Sequence, residues 1–233
     1  MLHPVARWSE GVKLARVKLK RFRVEKPSDA VLKRYLRVYD SKDLHQHPDD
    51  LPPISPQGLF GSAEPLVFDL GCGRGEFLVA RALDQPEQNF VGFDWHWKSV
   101  WDAVNRAHAA DLDNILFLRT DFRRALSIVP DRSVREGFLL FPPPGLKHSK
   151  RQQDPLPADT IRHIFRVLLP DGPFHFITDH PDFFAVKTDL IAATGLFEQQ
   201  RTAHQFEGGQ TRFQEFWERR NVQSHPYEGR AKP

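Results

Sequence analysis

The chain has 233 residues, a length typical of one domain with or without an arm, and 40% of its residues are hydrophobic and 27% charged. The length excludes repeat arrays and mini-proteins, and the composition is typical of a soluble globular chain. No stretch approaches the roughly 20 consecutive apolar residues that a membrane-spanning helix requires. The only cysteine is Cys72, so no internal disulfide can form. We therefore expect a cytoplasmic protein without a membrane partner.

Positive charge is concentrated near the beginning of the chain. Residues 1–40 contain eleven Lys or Arg and four Asp or Glu, a net charge of +7, which leaves −4 for residues 41–233. A basic run suits a polyphosphate because each neutralised phosphate releases counterions, although a solvated tail has the same composition. Since the rest of the chain is acidic, the sequence favours a nucleic-acid ligand. We therefore divide the chain into a basic arm, residues 1–27, and a domain, residues 28–233.

A helix is predicted directly after the arm. Ser28 is a suitable N-cap, and apolar residues recur at three- and four-residue intervals from Val31 to Tyr39. The composition of residues 40–65 then changes to His, Asp, Pro and Gly, which disfavours regular structure. We predict a linker there that wraps the domain.

From Leu66 onward the sequence alternates between strand and helix patterns. Short apolar runs predict buried strands at residues 66–70, 90–93, 115–118, 137–141 and 174–178. Helical periodicity separates some of them, at residues 75–82, 99–110 and 159–168. This alternation predicts an α/β fold with a doubly wound, mostly parallel sheet covered on both faces. Residues 197–206 and 212–219, separated by Gly208 and Gly209, predict a C-terminal antiparallel hairpin at one edge.

The first crossover carries a glycine-rich turn preceded by an acid. The first strand contains Asp69 and leads into Gly71, Gly73 and Gly75. Ligands bind at the carboxyl ends of parallel strands, and glycines let the backbone approach a ligand closely. A dinucleotide fingerprint needs its third glycine at position 76, where this chain has Glu76, so the spacing argues against NAD.

Acidic residues also end the next two strands. Asp94 lies 23 positions after Gly71, where a carboxylate can accept hydrogen bonds from both ribose hydroxyls, and Asp121 is placed to meet the amine of adenine. A carboxylate at Asp69 would repel pyrophosphate but attract the ammonium and sulfonium groups of S-adenosylmethionine. We therefore predict a site for this methyl donor, held by Asp69, Gly71, Gly73, Asp94 and Asp121. The alternative is that the three acids only cap helices.

Two other features are interpreted as structural. Trp97, Trp101 and Val104 follow a helical spacing, and we expect them in the core rather than in a base-stacking surface. Cys72 has no metal-ligand neighbours in the sequence, and the eleven histidines form no clustered pattern. No metal site is expected.

With these motifs the sequence resembles the bacterial tRNA (guanine-N7)-methyltransferase family over roughly residues 55–220. The matching segments are GLFG at 58–61, VFDLGCGRGEFL at 67–78, VGFDWHWKSV at 91–100, LLFPPPGLKHSKRQQD at 139–154, FITDH at 176–180 and TRFQEFWERR at 211–220. The resemblance implies a Rossmann-like, seven-stranded methyltransferase sheet, S-adenosyl-L-methionine as cofactor and tRNA as partner. No obligate protein partner is expected.

Two departures from the family pattern lie in the expected catalytic segments. The family reads FPDPWPK where this chain reads FPPPGLK, so that Pro143 replaces an aspartate, and Gln214 replaces the glutamate of the closing T-x-F-E. Guanine N7 carries a lone pair and no proton, so its attack on the sulfonium methyl needs positioning and charge placement but no general base. A neighbouring acid could take over the missing charge, and the candidates are Asp154, Asp179 and Glu215.

The resemblance implies methyl transfer to N7 of a guanine in tRNA. Its reaction site would contain Lys147, Asp179, Thr211 and Arg212, and the basic segment 147–151 would lie against the RNA. Two alternatives stay open: a homologue that binds cofactor and RNA without catalysis, and a methyltransferase that acts on another acceptor.

Overall fold

A computed structural model describes residues 23–144, 154–200 and 223–233. Its strands are β1 Leu36–Val38, β2 Leu66–Leu70, β3 Asn89–Asp94, β4 Ile115–Arg119, β5 Val134–Leu140, β6 Pro173–Thr178, β7 Phe197–Gln199 and β8 His225–Ala231. Its α-helices are α1 Asp29–Tyr35, α2 Ser41–Gln46, α3 Pro56–Phe60, α4 Glu76–Asp84, α5 Trp97–Ala109, α6 Phe122–Ala125, α7 Ala158–Val167 and α8 Pro181–Thr194. Short 3-10 turns cover Pro48–Asp50 and Leu126–Ile128. No described helix is both long and apolar enough to cross a membrane.

The strands form one sheet in the order β1-β4-β3-β2-β5-β6-β8-β7. All pairings are parallel except those of β8, which runs antiparallel to both β6 and β7. The connection after β2 leads to one side of the sheet, towards β3, and the connection after β5 leads to the other side, towards β6. In such sheets a crevice opens between the carboxyl ends of the two strands where the connections part, here β2 and β5. The doubly wound, mostly parallel α/β class is confirmed, and the sheet has eight strands instead of seven because β1 adds one edge.

The core lies on both faces of this sheet because successive residues of its strands point to opposite faces. Phe117 and Phe138 belong to one buried cluster, whereas their neighbours Leu118 and Leu139 belong to the other. All five residues of the central strand β2 are buried. Such two-sided burial explains why the strands appear in the sequence as continuous apolar runs.

The N-terminal segment differs in part from its prediction. Ser28 caps α1 as predicted, and its Oγ accepts the Val31 N–H at 3.4 Å. The helix ends at Tyr35 and not at Tyr39, because the chain from Leu36 pairs with β4 as the edge strand β1. The predicted linker, residues 40–65, contains the short helices α2 and α3, so the expectation of irregular structure throughout is wrong.

The C-terminal edge also needs correction. β7 begins at Phe197 as predicted, but its antiparallel partner is β8, which lies between β6 and β7 and was not predicted. The predicted second strand, residues 212–219, lies outside the described residues. On α5, Val104 is fully buried but Trp97 is 41% exposed, so the expectation that Trp97 belongs to the core is wrong.

Candidate active site at the carboxyl edge of the sheet

The glycine-rich loop after β2 is fixed to the neighbouring strand by its backbone. The N–H groups of Gly71 and Cys72 both donate to the Phe93 carbonyl, at 2.8 and 2.9 Å. Gly71, Gly73 and Gly75 have φ values of +98°, +56° and +73°, a region that side chains disfavour. The loop therefore turns sharply and leads directly into α4.

The glycines of this loop differ in what surrounds them. A Cβ added at Gly75 would lie 2.8 Å from the Ala103 Cβ, so this glycine lets α4 pack closely on α5. A Cβ added at Gly71 or Gly73 would meet no atom within 4 Å. These two positions border open space, where a ligand can approach the backbone.

Asp69 is a buried acid with no ion-pair partner among the described residues. Its side chain is 2% exposed, and Oδ1 has no hydrogen-bond partner among the described residues. Burial raises the pKa of Asp69 to about 8, and the negative charge of Asp94 contributes to the increase. An unpaired buried acid is costly, so this position favours a ligand that brings hydrogen-bond donors or positive charge.

Asp94 ties the glycine loop to the end of β3. Its Oδ2 accepts the Gly73 N–H at 3.1 Å, and its Oδ1 accepts the His96 N–H at 2.7 Å. Burial raises the pKa of Asp94 although these backbone donors act in the opposite direction. The structure thus brings Asp69, Asp94, Gly71 and Gly73 together at the carboxyl ends of β2 and β3. That they hold the cofactor, and that Asp94 accepts bonds from ribose, stay predictions.

Asp121 has a different environment. It caps α6 by accepting the Arg123 N–H at 3.1 Å, and its carboxylate pairs with the Arg123 guanidinium at 2.6 and 2.9 Å. The alternative that these acids cap helices therefore describes Asp121, although Asp69 lies within β2 and caps none. The bond from Asp121 to an adenine amine stays a prediction.

A series of hydrogen bonds and ion pairs connects Asp121 with charged residues farther inside the protein. Arg123 donates to the Asp154 carbonyl at 3.0 Å, and the Asp154 carboxylate pairs with Lys187 at 2.5 Å. Lys187 is only 4% exposed. Sequence reasoning missed both cations: Arg123 could have been suspected from its position two residues after Asp121, whereas Lys187 gave no signal.

The carboxyl ends of β5 and β6 form the other side of the crevice. After β5, Phe141 adopts a φ of +50° and its N–H donates to the Ile177 carbonyl at 2.8 Å. Pro142 is buried, whereas Pro143 and Pro144 are exposed. Asp179 follows β6 directly, is half-buried, and has no hydrogen-bond or ion-pair partner among the described residues.

The remaining predicted site residues cannot be placed. Lys147 lies in the segment 145–153, and Thr211 and Arg212 lie in the segment 201–222, both outside the described residues. The glycine loop also contains a basic residue, Arg74, that no sequence motif indicated. Its Nε pairs with the Asp102 carboxylate at 2.5 Å, which anchors the loop to α5.

Residues 63–224 match the model of a family described as "Putative methyltransferase". A tRNA (guanine-N(7)-)-methyltransferase of Rubrobacter xylanophilus is 33% identical over 219 residues, which cover 92% of this chain and 98% of that protein. A second enzyme of that name, from Chloroflexus aurantiacus, is 38% identical over 173 residues, covering 74% of this chain and 77% of the relative.

Solved structures share the fold at low sequence identity. The 16S rRNA methyltransferase KamB is 16% identical with a TM-score of 0.56, and the match covers 76% of this chain and 92% of KamB. A 16S rRNA (adenine(1408)-N(1))-methyltransferase variant from Catenulisporales acidiphilia, solved with its cosubstrate SAM, is 17% identical with a TM-score of 0.52. That match covers 74% of this chain and 88% of the other.

Proposed function

This chain belongs to the tRNA (guanine-N7)-methyltransferase family, and on that basis we propose that it transfers a methyl group from S-adenosyl-L-methionine to N7 of a guanine in tRNA. The observation that carries the proposal is the unpaired, buried Asp69 beside the open glycine loop. A cytoplasmic location is part of the proposal, since tRNA is the substrate. The tRNA partner also gives the basic arm a ligand of matching charge.

The residues present suit the cofactor. Its ammonium and sulfonium groups supply the positive counter-charge that no described residue provides for Asp69. Gly71 and Gly73 leave room for the cofactor beside the backbone. Asp94 keeps the loop in place through the Gly73 N–H and can accept further hydrogen bonds from ribose hydroxyls. When bound, the cofactor supplies an electrophilic methyl group on a positively charged sulfur.

The protein's task in the reaction is to orient the guanine and to balance charge. Methylation at N7 makes the base cationic, so a nearby carboxylate stabilises the product and the transition state that leads to it. The family aspartate would do this, but Pro143 stands at its position. We assign the role to Asp179, because it lies at the end of β6 and has no partner among the described residues.

The other acids fit this role less well or cannot be placed. The Asp154 carboxylate is already paired with the buried Lys187, and Glu215 lies outside the described residues. For Lys147, Thr211 and Arg212 we propose the roles that the family resemblance implies: Lys147 and Arg212 would face the RNA, and Thr211 would close the methionine end of the cofactor pocket. These assignments are part of the proposal.

The test is a methylation assay on unmodified tRNA, with N7-methylguanine detected by mass spectrometry. We expect turnover by the wild type and a decrease in kcat of about tenfold or more for Asp179→Asn, since one well-placed charge contributes a few kcal/mol. Asp182→Asn is the matched control, because Asp182 is an exposed acid in the first turn of α8. Equal kcat for Asp179→Asn and the control would overturn the assignment of Asp179.

Pro143→Asp tests the alternative of a homologue that binds cofactor and RNA without catalysis. Pro143 is exposed, so an aspartate can be accommodated there. If Asp179 compensates, the wild type is active and Pro143→Asp raises kcat by less than about tenfold. A wild type that binds cofactor yet gives no N7-methylguanine, with activity gained only in Pro143→Asp, would replace our proposal by this alternative.

A further inference from the structure

An apolar groove of about 570 Å³ lies beside the crevice, between α1, β1 and the start of α5. Two tryptophans line it: Trp97 and Trp101, whose ring centroids are 5.9 Å apart at an angle of 38°. Val38 of the edge strand, which also lines the groove, is 51% exposed. A surface with large apolar side chains this exposed is typical of a binding site.

The groove is bordered by cations. Lys26 and Lys33 line it, and the Arg119 guanidinium lies 4.2 Å from the centre of the Trp97 ring. Lys26 pairs with the exposed Asp29 at 3.5 Å, whereas Lys33 and Arg119 have no ion-pair partner among the described residues. None of the described residues that line the groove is acidic. Flat aromatic rings edged by positive charge match the chemistry of a nucleotide, in which a base is joined to phosphate.

The position of the groove relates it to two other parts of the molecule. Trp97 follows Asp94 by three residues, so the groove adjoins the β3 end of the crevice. Lys26, which lines the groove, is also the last residue of the basic run that starts at Lys13 in the sequence. An RNA held by the arm and presented to the crevice would pass over this surface.

We propose that the groove binds an unpaired nucleotide of the substrate tRNA, with its base stacked on Trp97 and its flanking phosphates at Lys26 and Lys33. This inference rests on the proposed function, because it assumes a tRNA substrate. Arg119 covers one side of the Trp97 ring, but the residue as a whole is 41% exposed, so part of its surface is open to a base. Stacking is tolerant of base identity, so the groove contributes affinity and orientation without reading the tRNA sequence.

The chemistry of the groove disfavours two other occupants. S-adenosyl-L-methionine carries positive charge and needs carboxylates, whereas the groove offers cations. An apolar protein segment would use the tryptophans but would leave Lys33 and Arg119 without a counter-charge. A nucleotide uses the rings and the cations together.

The first test replaces the charge. Lys33→Ala and the control Lys232→Ala remove the same charge, and Lys232 is exposed near the opposite edge of the sheet, after β8. The Kd of unmodified tRNA is measured at several salt concentrations by fluorescence anisotropy. We expect Lys33→Ala to weaken binding and to reduce the salt slope by about one, with no change in the control.

The second test replaces the aromatic ring. Trp97→Leu keeps an apolar side chain but removes the stacking face, and Trp97→Phe retains a smaller one. We expect Trp97→Leu to raise the Kd for tRNA about tenfold and Trp97→Phe to restore most of the affinity. An unchanged affinity for S-adenosylhomocysteine, measured by calorimetry, shows that each variant is folded. If Trp97→Leu does not bind S-adenosylhomocysteine, the tRNA affinity and salt slope of Lys33→Ala alone test the inference.

The outcomes separate this inference from the proposed function. If the wild type methylates tRNA at N7 and both Lys33→Ala and Trp97→Leu bind tRNA like the wild type, the groove does not bind the substrate and the inference is overturned. If both variants lose affinity as expected while the wild type shows no turnover, the inference holds and the catalytic proposal fails.

Discussion

At the edge of the sheet where the parallel strands end, the carboxylates on the two sides differ in their partners. Beside the glycine loop, Asp69 is buried and its Oδ1 accepts no hydrogen bond from a described residue. On the β4 side, Asp121 is paired with Arg123, and the nearby Asp154 is paired with Lys187. The first half therefore depends on a ligand for its positive charge, whereas the second half contains its own. The predicted row of three equivalent acids therefore divides into the side around Asp69, which we propose binds the cofactor and call the binding half, and the side around Asp121, which we call the supporting half.

The largest effect should come from filling the open side of the binding half. Gly73→Asp fills the space that the cofactor would occupy. Because this steric exclusion outweighs any attraction of the added carboxylate for the cofactor's ammonium group, we expect the affinity for S-adenosylhomocysteine to decrease at least ~100-fold. Gly61→Asp is the control, because Gly61 has a similar φ of +64° and an equally open Cβ position, at the end of α3. Calorimetry that finds equal affinity in both variants would contradict our placement of the site.

The next effect concerns the charge of Asp69. The pKa of Asp69 is about 8 in the folded protein, against an ordinary value near 4, so between these values the folded chain holds a proton that the unfolded chain has lost. The free energy of unfolding of the ligand-free protein should therefore decrease as the pH rises from about 4 to about 8.

Asp69→Asn separates stability from binding. Asparagine does not titrate, so we expect a higher Tm than the wild type at about pH 8, little difference at about pH 4, and a cofactor affinity about tenfold lower. Thermal unfolding at both pH values and calorimetry measure the three quantities. If the difference in Tm between the variant and the wild type is the same at both pH values, burial of the charged form of Asp69 does not lower the stability.

A smaller effect is expected in the supporting half. Lys187→Met leaves the partly exposed Asp154 carboxylate without its cation, and we expect the free energy of unfolding to decrease by about 2 kcal/mol. Adding Asp154→Asn should recover part of this loss, and cofactor affinity should change less than about threefold. Urea unfolding gives the stability; a large loss of cofactor affinity would show that the two halves are not separate.

The smallest effect is expected for Asp121→Asn. Asparagine still accepts the Arg123 N–H as a helix cap, and its carbonyl can still meet an adenine amine, so only the ion pair is weakened. We expect a stability loss of about 1 kcal/mol or less and a cofactor affinity within a few-fold of the wild type. A loss as large as that of Asp69→Asn would place Asp121 in the binding half.

Features that depend on local pattern could be predicted from the sequence. The five buried strands appeared as apolar runs because both faces of the sheet are covered, and the glycine loop with Asp69 and Asp94 followed from strand ends. β1 was assigned to a helix because the apolar spacing of α1 continues through its three residues. β8 was missed because Pro226 and Gly229 weaken its strand signal, although the Tyr227 ring packs over Gly229.

Features that depend on distant contacts could not be predicted. Asp154 and Lys187 are 33 positions apart, and their pairing follows only from the way α8 packs beside the chain before α7. The exposure of Trp97 is a similar case, because helical spacing alone does not show that Trp97 stands at the helix start beside an edge strand. The sequence pattern thus indicated the strand ends that form the proposed binding half, and it gave little information about the contacts of the supporting half.

The segment after β5 has a consequence for how a purine is recognised. The Phe141 N–H is already used by the Ile177 carbonyl, and Pro142, Pro143 and Pro144 have no N–H, so four successive residues offer no free backbone donor. Their carbonyls can only accept. A base can therefore form hydrogen bonds with the backbone of this segment only by donating to its carbonyls. Guanine has such donors, the N1–H and the exocyclic amino group, on the edge away from N7.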